Sequence, residues 1–280
     1  MKKLLLGNEA IARGAYEAGV RVSSAYPGTP STEINENVAT YPEIYSEWAP
    51  NEKVAVEVAL GAAVSGARSL ACMKHVGLNV AADPFFTATY TGVNAGMVVV
   101  VADDPGMHSS QNEQDTRMLA RASHAPVLDP SNSQECKDFL KLAYEISEKY
   151  DTPVILRVTT RIAHARTLVE LDERVEVPLR EYKRDIKKYV SMPANMIARH
   201  LYVEEREKKL AEDANTLPIN RIEWADRKIG VITSGAAYNY VKEAMPTASV
   251  LKLGLAYPMP RKLIEEFAAG VDTLYVIEDM

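Results

Sequence analysis

The sequence predicts an α/β protein with a doubly wound, mostly parallel sheet, followed by the start of a second α/β unit. Short apolar runs alternate with helical patterns along most of the 280 residues, and this alternation is typical of βα units. One run, Met97–Ala102, contains four consecutive valines, as expected for a strand that is covered on both faces. The alternation stops within Leu171–Arg227 and resumes at Lys228, so the sheet-forming segments fall into two groups.

The first group supplies enough segments for a full doubly wound domain. Its predicted strands are Val20–Ala25, Ser69–Met73, Met97–Ala102 and Pro153–Val158. Its predicted helices are Asn8–Ala18, Thr32–Ala39, Asn51–Ala67, Asp83–Thr91, Thr116–Ala122 and Ser133–Lys149. Ser31 is the expected N-cap of the second helix. The Ala- and Val-rich composition of the third helix indicates burial on most of its circumference.

The second group is smaller and follows a charged stretch. Leu171–Arg227 contains EYKRDIKK and VEEREKKLAED with few apolar residues, which favours a solvated linker helix flanked by extended segments. Beyond it we predict strands at Ile229–Thr233, Ser249–Leu253 and Thr273–Ile277, and helices at Ala236–Ala244 and Pro260–Ala269. We therefore divide the chain into a first domain (residues 1–175), a charged linker (176–227) and a partial second domain (228–280). The second core is small for an independent domain, so we expect the native polypeptide to continue beyond Met280.

Composition excludes several classes of protein. Hydrophobic residues make up 47% and charged residues 25% of the chain, as in ordinary globular proteins. A net charge of −6 argues against a nucleic-acid partner, which would require a basic surface. The apolar runs are too short to span a membrane, and the first residues are too weakly apolar for a signal peptide. Two cysteines, Cys72 and Cys136, cannot form a disulfide framework, so we expect core thiols in a reducing cytoplasm.

Polar and titratable side chains follow the predicted strands of the first domain. They lie in four loops, Tyr26–Thr32, Lys74–Asn79, Asp103–Glu113 and Thr159–His164, which contain three of the five histidines. Because ligands of open α/β sheets bind at the carboxyl ends of the strands, these loops predict one shared site. The absence of GxGxxG, GxxxxGK[ST], GxSxG and HExxH patterns argues against dinucleotide, P-loop, hydrolase and zinc-protease sites. A flavodoxin-like nucleotide site is also disfavoured, because prolines bracket the first loop.

Each of these residues also has a simpler interpretation. Glu52, at the start of the Ala/Val-rich helix, is a costly acid to bury without a partner, but it could serve only the helix dipole. The remaining alternatives are helix capping by Ser31 and Thr32, tight turns at Gly28, Gly77 and Gly106, an ordinary hydrogen-bonded His75, and a surface ion pair at Arg161. A metal site formed by Asp103, Asp104, His108 and Glu113 has no standard spacing, and we assign none.

Long segments of the chain resemble one family, in the same order. They are YPGTPSTEI (Tyr26–Ile34), APNEKVAVEVALGAAVSGARS (Ala49–Ser69), KHVGLN (Lys74–Asn79), DDPGMHSSQNEQDTR (Asp103–Arg117), VTTRIAH (Val158–His164), ITSGAAYNY (Ile232–Tyr240) and VLKLGLAYPMP (Val250–Pro260). These segments are similar to the alpha subunit of the indolepyruvate branch of the thiamine-diphosphate-dependent 2-oxoacid:ferredoxin oxidoreductases. The resemblance implies a pyrimidine-binding thiamine domain followed by the start of a transketolase C-terminal-like domain.

The resemblance also implies roles for individual residues. In that family a glutamate hydrogen-bonds the cofactor's pyrimidine N1′ and favours its imino tautomer, and it lies nine positions before a family glycine. Glu52 stands nine positions before Gly61, whereas Glu57 stands only four before it, so Glu52 is the predicted catalytic carboxylate. The remaining assignments are Pro27, Gly28 and Thr29 in the turn that faces the cofactor and substrate, His75, Gly77 and Leu78 along the thiazolium, and Arg161 and His164 for the substrate carboxylate or a partner contact.

The family uses thiamine diphosphate, magnesium, [4Fe–4S] clusters and coenzyme A to convert an aryl pyruvate into aryl-acetyl-CoA, with ferredoxin as electron acceptor. A second subunit and a homo- or hetero-oligomer are expected. The family's GDG motif for the diphosphate and its cysteine clusters do not occur in this chain, so we expect half a cofactor site, weak cofactor binding, no activity in isolation and an exposed apolar rim around Glu52. Two alternatives stay open: another thiamine-dependent 2-oxoacid oxidoreductase or decarboxylase, and a non-catalytic thiamine-fold module.

Overall fold

The computed structural model describes all 280 residues and contains three sheets. The strands are β1 Lys2–Leu6, β2 Val22–Ala25, β3 Tyr45–Trp48, β4 Ser69–Lys74, β5 Met97–Asp103, β6 Val127–Leu128, β7 Val154–Thr159, β8 Arg166–Glu170, β9 Arg221–Glu223, β10 Asp226–Ser234, β11 Ala248–Leu253, β12 Leu255–Tyr257 and β13 Thr273–Ile277. The helices are α1 Gly7–Glu17, α2 Thr32–Val38, α3 Glu52–Val64, α4 His75–Val80, α5 Ala82–Thr91, α6 Thr116–Ser123, α7 Ser133–Tyr150, α8 Thr160–His164, α9 Ile186–Tyr189, α10 Pro193–Asp213, α11 Ala237–Ala244 and α12 Arg261–Ala269.

The central sheet has seven strands in the order β12-β6-β7-β5-β4-β2-β3. All neighbours in it are parallel except β12, which pairs antiparallel with β6. Every residue of β5 is buried, and alternate residues enter two different hydrophobic clusters. Val98 and Val100 pack with α1 and α7, while Val99 and Val101 pack with α3 and α5. The sheet is therefore covered on both faces, and the predicted α/β fold is confirmed.

The second sheet has four strands in the order β13-β10-β11-β9. Strand β10 pairs parallel with both β11 and β13, and β9 closes the other edge antiparallel to β11. One face of this sheet packs against α11 through Val231 and Val241, and the other packs against α12 through Ile232 and Phe267. The second group of segments therefore also forms an α/β layer structure, although β9 and β12 were not predicted.

Two of the four predicted loops are helical. Lys74–Asn79 was expected to be a loop, but α4 begins at His75, immediately after β4. Thr159–His164 was also expected to be a loop, but α8 begins at Thr160. Both helices are too short for their apolar periodicity to be distinguished from a turn. The strand pair β1–β8 was missed too, because its register joins Lys2 to Glu170 across almost the whole first part of the chain.

The charged stretch is only partly solvated. As predicted, it forms extended chain followed by a helix, α10, whose surface is mostly exposed. Val203, Arg206 and Leu210 are nevertheless buried, and Arg206 donates from Nη1 to the carbonyl oxygens of Thr89 (3.0 Å) and Asp151 (2.9 Å). A stripe of α10 therefore packs on the first domain, although its charge density suggested a fully solvated helix.

Both cysteines are buried and unpaired, Cys72 on β4 and Cys136 on α7. Burial raises the pKa of both thiols well above the ordinary value, so neither is activated as a nucleophile. None of the helices is long and apolar enough to cross a membrane.

Candidate functional site

The four predicted site segments meet at one edge of the central sheet. Strands β7, β5, β4 and β2 are consecutive parallel neighbours, so their carboxyl ends lie side by side. The segments that follow them are α8, the loop 104–115, α4 and the turn 26–31. Helix α3, which starts after β3, adds its first turn to the same edge through its contact with α4. The topology thus brings together the segments that the sequence singled out.

The most informative contact joins Glu52 to Gly77. Glu52 is the first residue of α3, and Asn51 caps that helix by accepting a hydrogen bond from the Val54 amide at 3.0 Å. The Glu52 side chain is 8% exposed and makes no hydrogen bond. A Cβ atom added to Gly77 would lie 2.6 Å from both Cγ and Oε1 of Glu52. The carboxyl group therefore rests against the first turn of α4, whereas Glu57 is exposed on another face of α3.

The turn after β2 is fixed by its own hydrogen bonds. The Gly28 amide donates to Thr32 Oγ1 at 2.9 Å, and the Ser31 hydroxyl donates to the Gly28 carbonyl at 2.8 Å. Ser31 thus occupies the N-cap position of α2 but does not cap the helix with its side chain as predicted; its hydroxyl closes the preceding turn instead. Pro27 and Thr29 are exposed at this edge, and Gly28 is half-buried against the Lys74 side chain.

His75 is the first residue of α4, and Leu78 directly follows Gly77 in the same helix. His75 is 2% exposed, and its Nε2 is 3.0 Å from the Asn112 carbonyl oxygen, while its Nδ1 is buried without a hydrogen-bond partner. Leu78 is fully buried in the hydrophobic cluster beneath α3 and α5. His75 therefore bridges β4 to the loop 104–115, and Leu78 anchors α4 in the core.

Asp104 organises the loop that faces α4. Its carboxylate accepts hydrogen bonds from the Ser109 amide (2.8 Å), the Ser110 hydroxyl (2.7 Å) and the Thr160 hydroxyl (2.7 Å). Burial would raise the pKa of Asp104, but these donors more than offset it and lower the pKa to about 2. No group of carboxylates, histidines and cysteines is arranged to hold a metal ion. The acids of this loop are held by protein donors.

Arg161 and His164 line an open cleft beside the same edge. The cleft has a volume of about 420 Å³, and His108 and Thr160 also line it. Arg161 is exposed and makes no ion pair, so the surface acid expected as its simplest partner is not there. His164 Nε2 lies 3.8 Å from Glu33 Oε2, and the Glu33 carboxylate accepts from Asn8 at 3.0 Å, which also donates to the Pro30 carbonyl at 2.8 Å. The cleft therefore adjoins the turn 26–31.

A buried charge network lies next to this edge and was not predicted. Arg157, on β7, donates to Asp103 at 2.7 Å and to Asp129 at 3.0 Å, and all three side chains are buried. Burial would lower the pKa of Arg157, but the two carboxylates hold it above its ordinary value. The Ser234 hydroxyl also donates to Asp129 at 2.9 Å, so the network joins the two main sheets. The one sequence signal for it is a charged residue inside the apolar run VILRVT.

Comparison with known proteins agrees with this architecture. A sequence model described as "pyruvate flavodoxin/ferredoxin oxidoreductase, thiamine diP-binding" matches residues 13–220. The proteins named indolepyruvate oxidoreductase subunit IorA are 47% identical in Pyrococcus horikoshii and 48% identical in Methanothermobacter marburgensis, with 100% and 99% of this chain covered. The alignments cover 45% and 46% of those relatives, so the chain spans slightly less than half their length.

A more distant relative and a solved structure extend the comparison. The 2-oxoglutarate synthase subunit KorA of Methanothermobacter thermautotrophicus is 31% identical over 61% of this chain and 48% of its own length. The 2-oxoglutarate:ferredoxin oxidoreductase of Magnetococcus marinus superposes with a TM-score of 0.82 over 98% of this chain and 57% of that chain, at 20% identity. The structural likeness to the Magnetococcus marinus enzyme shows the fold. The sequence matches to the IorA subunits and to the family model confirm the resemblance that the motifs predict. The chain belongs to the thiamine-diphosphate-binding family of the pyruvate flavodoxin/ferredoxin oxidoreductases.

Proposed function

We propose that this chain provides the pyrimidine-binding half of the thiamine diphosphate site in an enzyme that oxidatively decarboxylates aryl pyruvates such as indolepyruvate. Coenzyme A would accept the acyl group and ferredoxin the electrons. The alignments with two relatives cover 99–100% of this chain, and the names of those relatives support the aryl-pyruvate branch. The observation that carries the proposal is the position of Glu52. Its side chain is 8% exposed, and its carboxylate has no hydrogen-bond partner in the protein and lies against Gly77.

These residues fit the aminopyrimidine of the cofactor. A buried carboxylate without a donor is costly, and a protonated ring nitrogen would satisfy it. Gly77 makes room for the carboxyl group itself, because a Cβ atom there would lie 2.6 Å from Oε1. The buried Nδ1 of His75, on α4, is a second unpartnered polar atom. The first turns of α3 and α4 therefore hold an unpartnered carboxylate that would meet the ring nitrogen.

When bound, thiamine diphosphate would supply a carbon acid whose deprotonated form is nucleophilic toward the ketone, and a ring that can take up the electrons of decarboxylation. Glu52 would hold the proton shared with the pyrimidine N1′, in a water-poor site where such a hydrogen bond is stronger. Thr29 would direct its exposed hydroxyl toward the substrate, with Pro27 and Gly28 shaping the turn. His75 would form a hydrogen bond through Nδ1 with a polar group of the cofactor or the substrate.

The cleft beside the turn suits the acidic end of the substrate. The Arg161 guanidinium carries no ion pair and matches a carboxylate in bidentate geometry. His164 lines the same cleft and would add a second donor when protonated. Leu78 would support the cofactor indirectly, by anchoring α4 in the core.

The other half of the site would come from another part of the assembly. Magnesium, the diphosphate and the [4Fe–4S] clusters require ligands that match no motif in this chain. Tyr26, in the turn after β2, and Trp48, at the end of β3, are exposed large aromatic residues at this edge. An exposed apolar rim of this kind is typical of a protein–protein interface, so we assign it to the domain or subunit that completes the cofactor site.

The test is a pair of substitutions on one helix, made in the complete oxidoreductase assembled from its subunits. Glu52→Gln should reduce indolepyruvate-dependent dye reduction by at least about 100-fold, the range expected for loss of an acid–base group. Glu57→Gln, on the exposed face of α3, should leave the rate unchanged. Full activity of the Glu52→Gln enzyme would contradict the proposal and favour a non-catalytic thiamine-fold module. Activity with pyruvate or 2-oxoglutarate but not indolepyruvate would assign the chain to another branch.

A further inference from the structure

The second sheet contains a topological switch point that the proposed function does not use. The chain runs from β10 through α11 on one face of the sheet to β11, and then through β12 and α12 on the other face past β10 to β13. The strand order therefore reverses between β10 and β13. In open α/β sheets, ligands bind in the crevice that forms at the carboxyl ends of two such strands. Ser234 is the last residue of β10, and Glu278 directly follows β13. The fold therefore places a crevice between them.

A cavity of about 110 Å³ occupies this crevice. Its floor includes Ser234 and Leu253, and its far wall is formed by α6 and β12 through Met118 and Ala256. A volume of this size corresponds to a few water molecules at about 30 Å³ each, which is enough for a phosphate or carboxylate group with a short hydrocarbon stem. None of the residues assigned to the thiamine site lines it.

One of the two arginines that line the cavity has no ion-pair partner. Arg117 and Arg121 both line it, but Arg117 is paired with Asp115 at 2.9 Å and with Glu278 at 3.2 Å. The Arg121 guanidinium is exposed at the rim and makes no side-chain hydrogen bond or ion pair. Glu278, the one acid among the lining residues, is already engaged by Arg117. The Arg121 guanidinium is therefore an unpaired positive charge beside the apolar wall formed by Met118 and Ala256.

We propose that this crevice is a binding site for a small organic anion, with the phosphate or carboxylate head on Arg121 and the apolar stem against Met118 and Ala256. A guanidinium binds either head group through two parallel hydrogen bonds. The apolar wall would exclude water and strengthen that contact. The site lies on the second sheet and is independent of the assignment of Glu52.

The experiment is calorimetric titration of the intact protein with propyl phosphate and with butyrate. Inorganic phosphate should bind more weakly than propyl phosphate, and acetate more weakly than butyrate, because the smaller anions lack the hydrocarbon stem. Arg121→Gln should weaken binding of the preferred probe by about tenfold or more, as for loss of one charge-assisted contact, and Arg121→Lys should restore part of the affinity. Because Arg121 is exposed and unpaired, the substitution should leave the fold intact.

Two controls decide the outcome. Arg184→Gln replaces another exposed arginine without an ion pair and should not change binding, so an equal loss there would indicate a general charge effect and overturn the proposal. Glu52→Gln should also leave binding unchanged, and a loss confined to that variant would place the probe in the thiamine site. No heat with either probe would overturn the proposal as well. Preference for propyl phosphate or for butyrate would each support it and would identify the natural head group.

Discussion

The carboxyl group of Glu52 lies directly against the α-carbon of Gly77, so that a Cβ atom at residue 77 would stand 2.6 Å from Oε1. The backbone of Gly77 is not in the left-handed region, and glycine is therefore required here for space and not for conformation. The contact links the first turn of α3 to the first turn of α4. The position of the carboxylate depends on the absence of a side chain at residue 77.

Gly77→Ala should therefore displace the Glu52 side chain. The added methyl group cannot coexist with the carboxyl group in its present rotamer, because real Cβ contacts are not as short as 2.6 Å. We expect the activity of the complete enzyme to fall by more than about tenfold, since small misplacements of a reacting group carry large rate costs. The measurement is indolepyruvate-dependent dye reduction together with circular dichroism to confirm folding.

Gly61→Ala is the matched control for that substitution. Gly61 is exposed near the end of α3, and an added Cβ there meets nothing within 4 Å. Alanine should stabilise the helix by about 0.5–1 kcal/mol and leave the activity unchanged. If both alanine variants retained full activity, the Glu52–Gly77 contact would have no part in catalysis.

The sequence predicted β2, β4, β5 and β7 of the central sheet but missed its strands β3, β6 and β12 and its short helices. Strands such as β5 are encoded by continuous apolar runs, so the α/β architecture follows from composition along the chain. Helices α4 and α8 are only six and five residues long, which is less than two turns and too short for a helical period to appear. The Ser31 hydroxyl can either cap α2 or bond within the preceding turn. In the structure it donates to the Gly28 carbonyl of the turn, and the sequence alone does not distinguish these two possibilities.

The candidate site was predictable as a set of segments and not as a set of contacts. Parallel strand ends meet at one edge, which is why the turn 26–31, α4 and α8 could be grouped from the sequence. The contact of Glu52 with Gly77 depends on the crossing of two helices, and no local pattern reports it. The Arg157 network requires the alignment of three separate segments, and its only local sign is a charge in an apolar strand.

Removing Arg157 should be strongly destabilising. Its side chain is 1% exposed and forms an ion pair with both Asp103 and Asp129, so Arg157→Met would leave two buried carboxylates without that positive charge. Loss of one partner of a buried ion pair typically costs about 3–5 kcal/mol. Equilibrium urea unfolding at pH 7 should show this decrease. Arg261→Gln, which breaks an exposed pair with Glu265, should not shift the unfolding midpoint, and an equal shift for both variants would contradict the role of the network.

Asp104 should make the stability of the protein depend on pH in the acid range. Its pKa is about 2 in the folded protein and 3.8 ordinarily, so the unfolded chain binds its proton first as the pH falls. The stabilisation is complete above about pH 5 and is lost progressively as the pH falls toward 2. It is at most about 2 kcal/mol for a shift of this size.

Asp104→Asn should therefore lower the free energy of unfolding at pH 7, and the difference from the wild type should shrink as the pH falls below about 5. Urea unfolding between pH 7 and pH 3 measures it. Asp272→Asn, at an exposed position without an ion pair, is the control and should show no such trend. A difference that stayed constant over the whole range would mean that the Asp104 charge is not what the loop donors stabilise.

This chain by itself should bind thiamine diphosphate only weakly. Glu52 and Gly77 can receive the aminopyrimidine, but the diphosphate and its magnesium ion need a polar cradle, and the GDG motif that the family uses for it is not in the sequence. Calorimetry with magnesium and thiamine diphosphate should give a dissociation constant above about 0.1 mM, equivalent to less than about 5.5 kcal/mol. The complete enzyme should bind far more tightly, because the domain that covers Tyr26 and Trp48 would bring the diphosphate ligands. Submicromolar binding by this chain alone would show that it holds the whole site, and Glu52→Gln would then have to weaken that binding if the carboxylate contacts the ring.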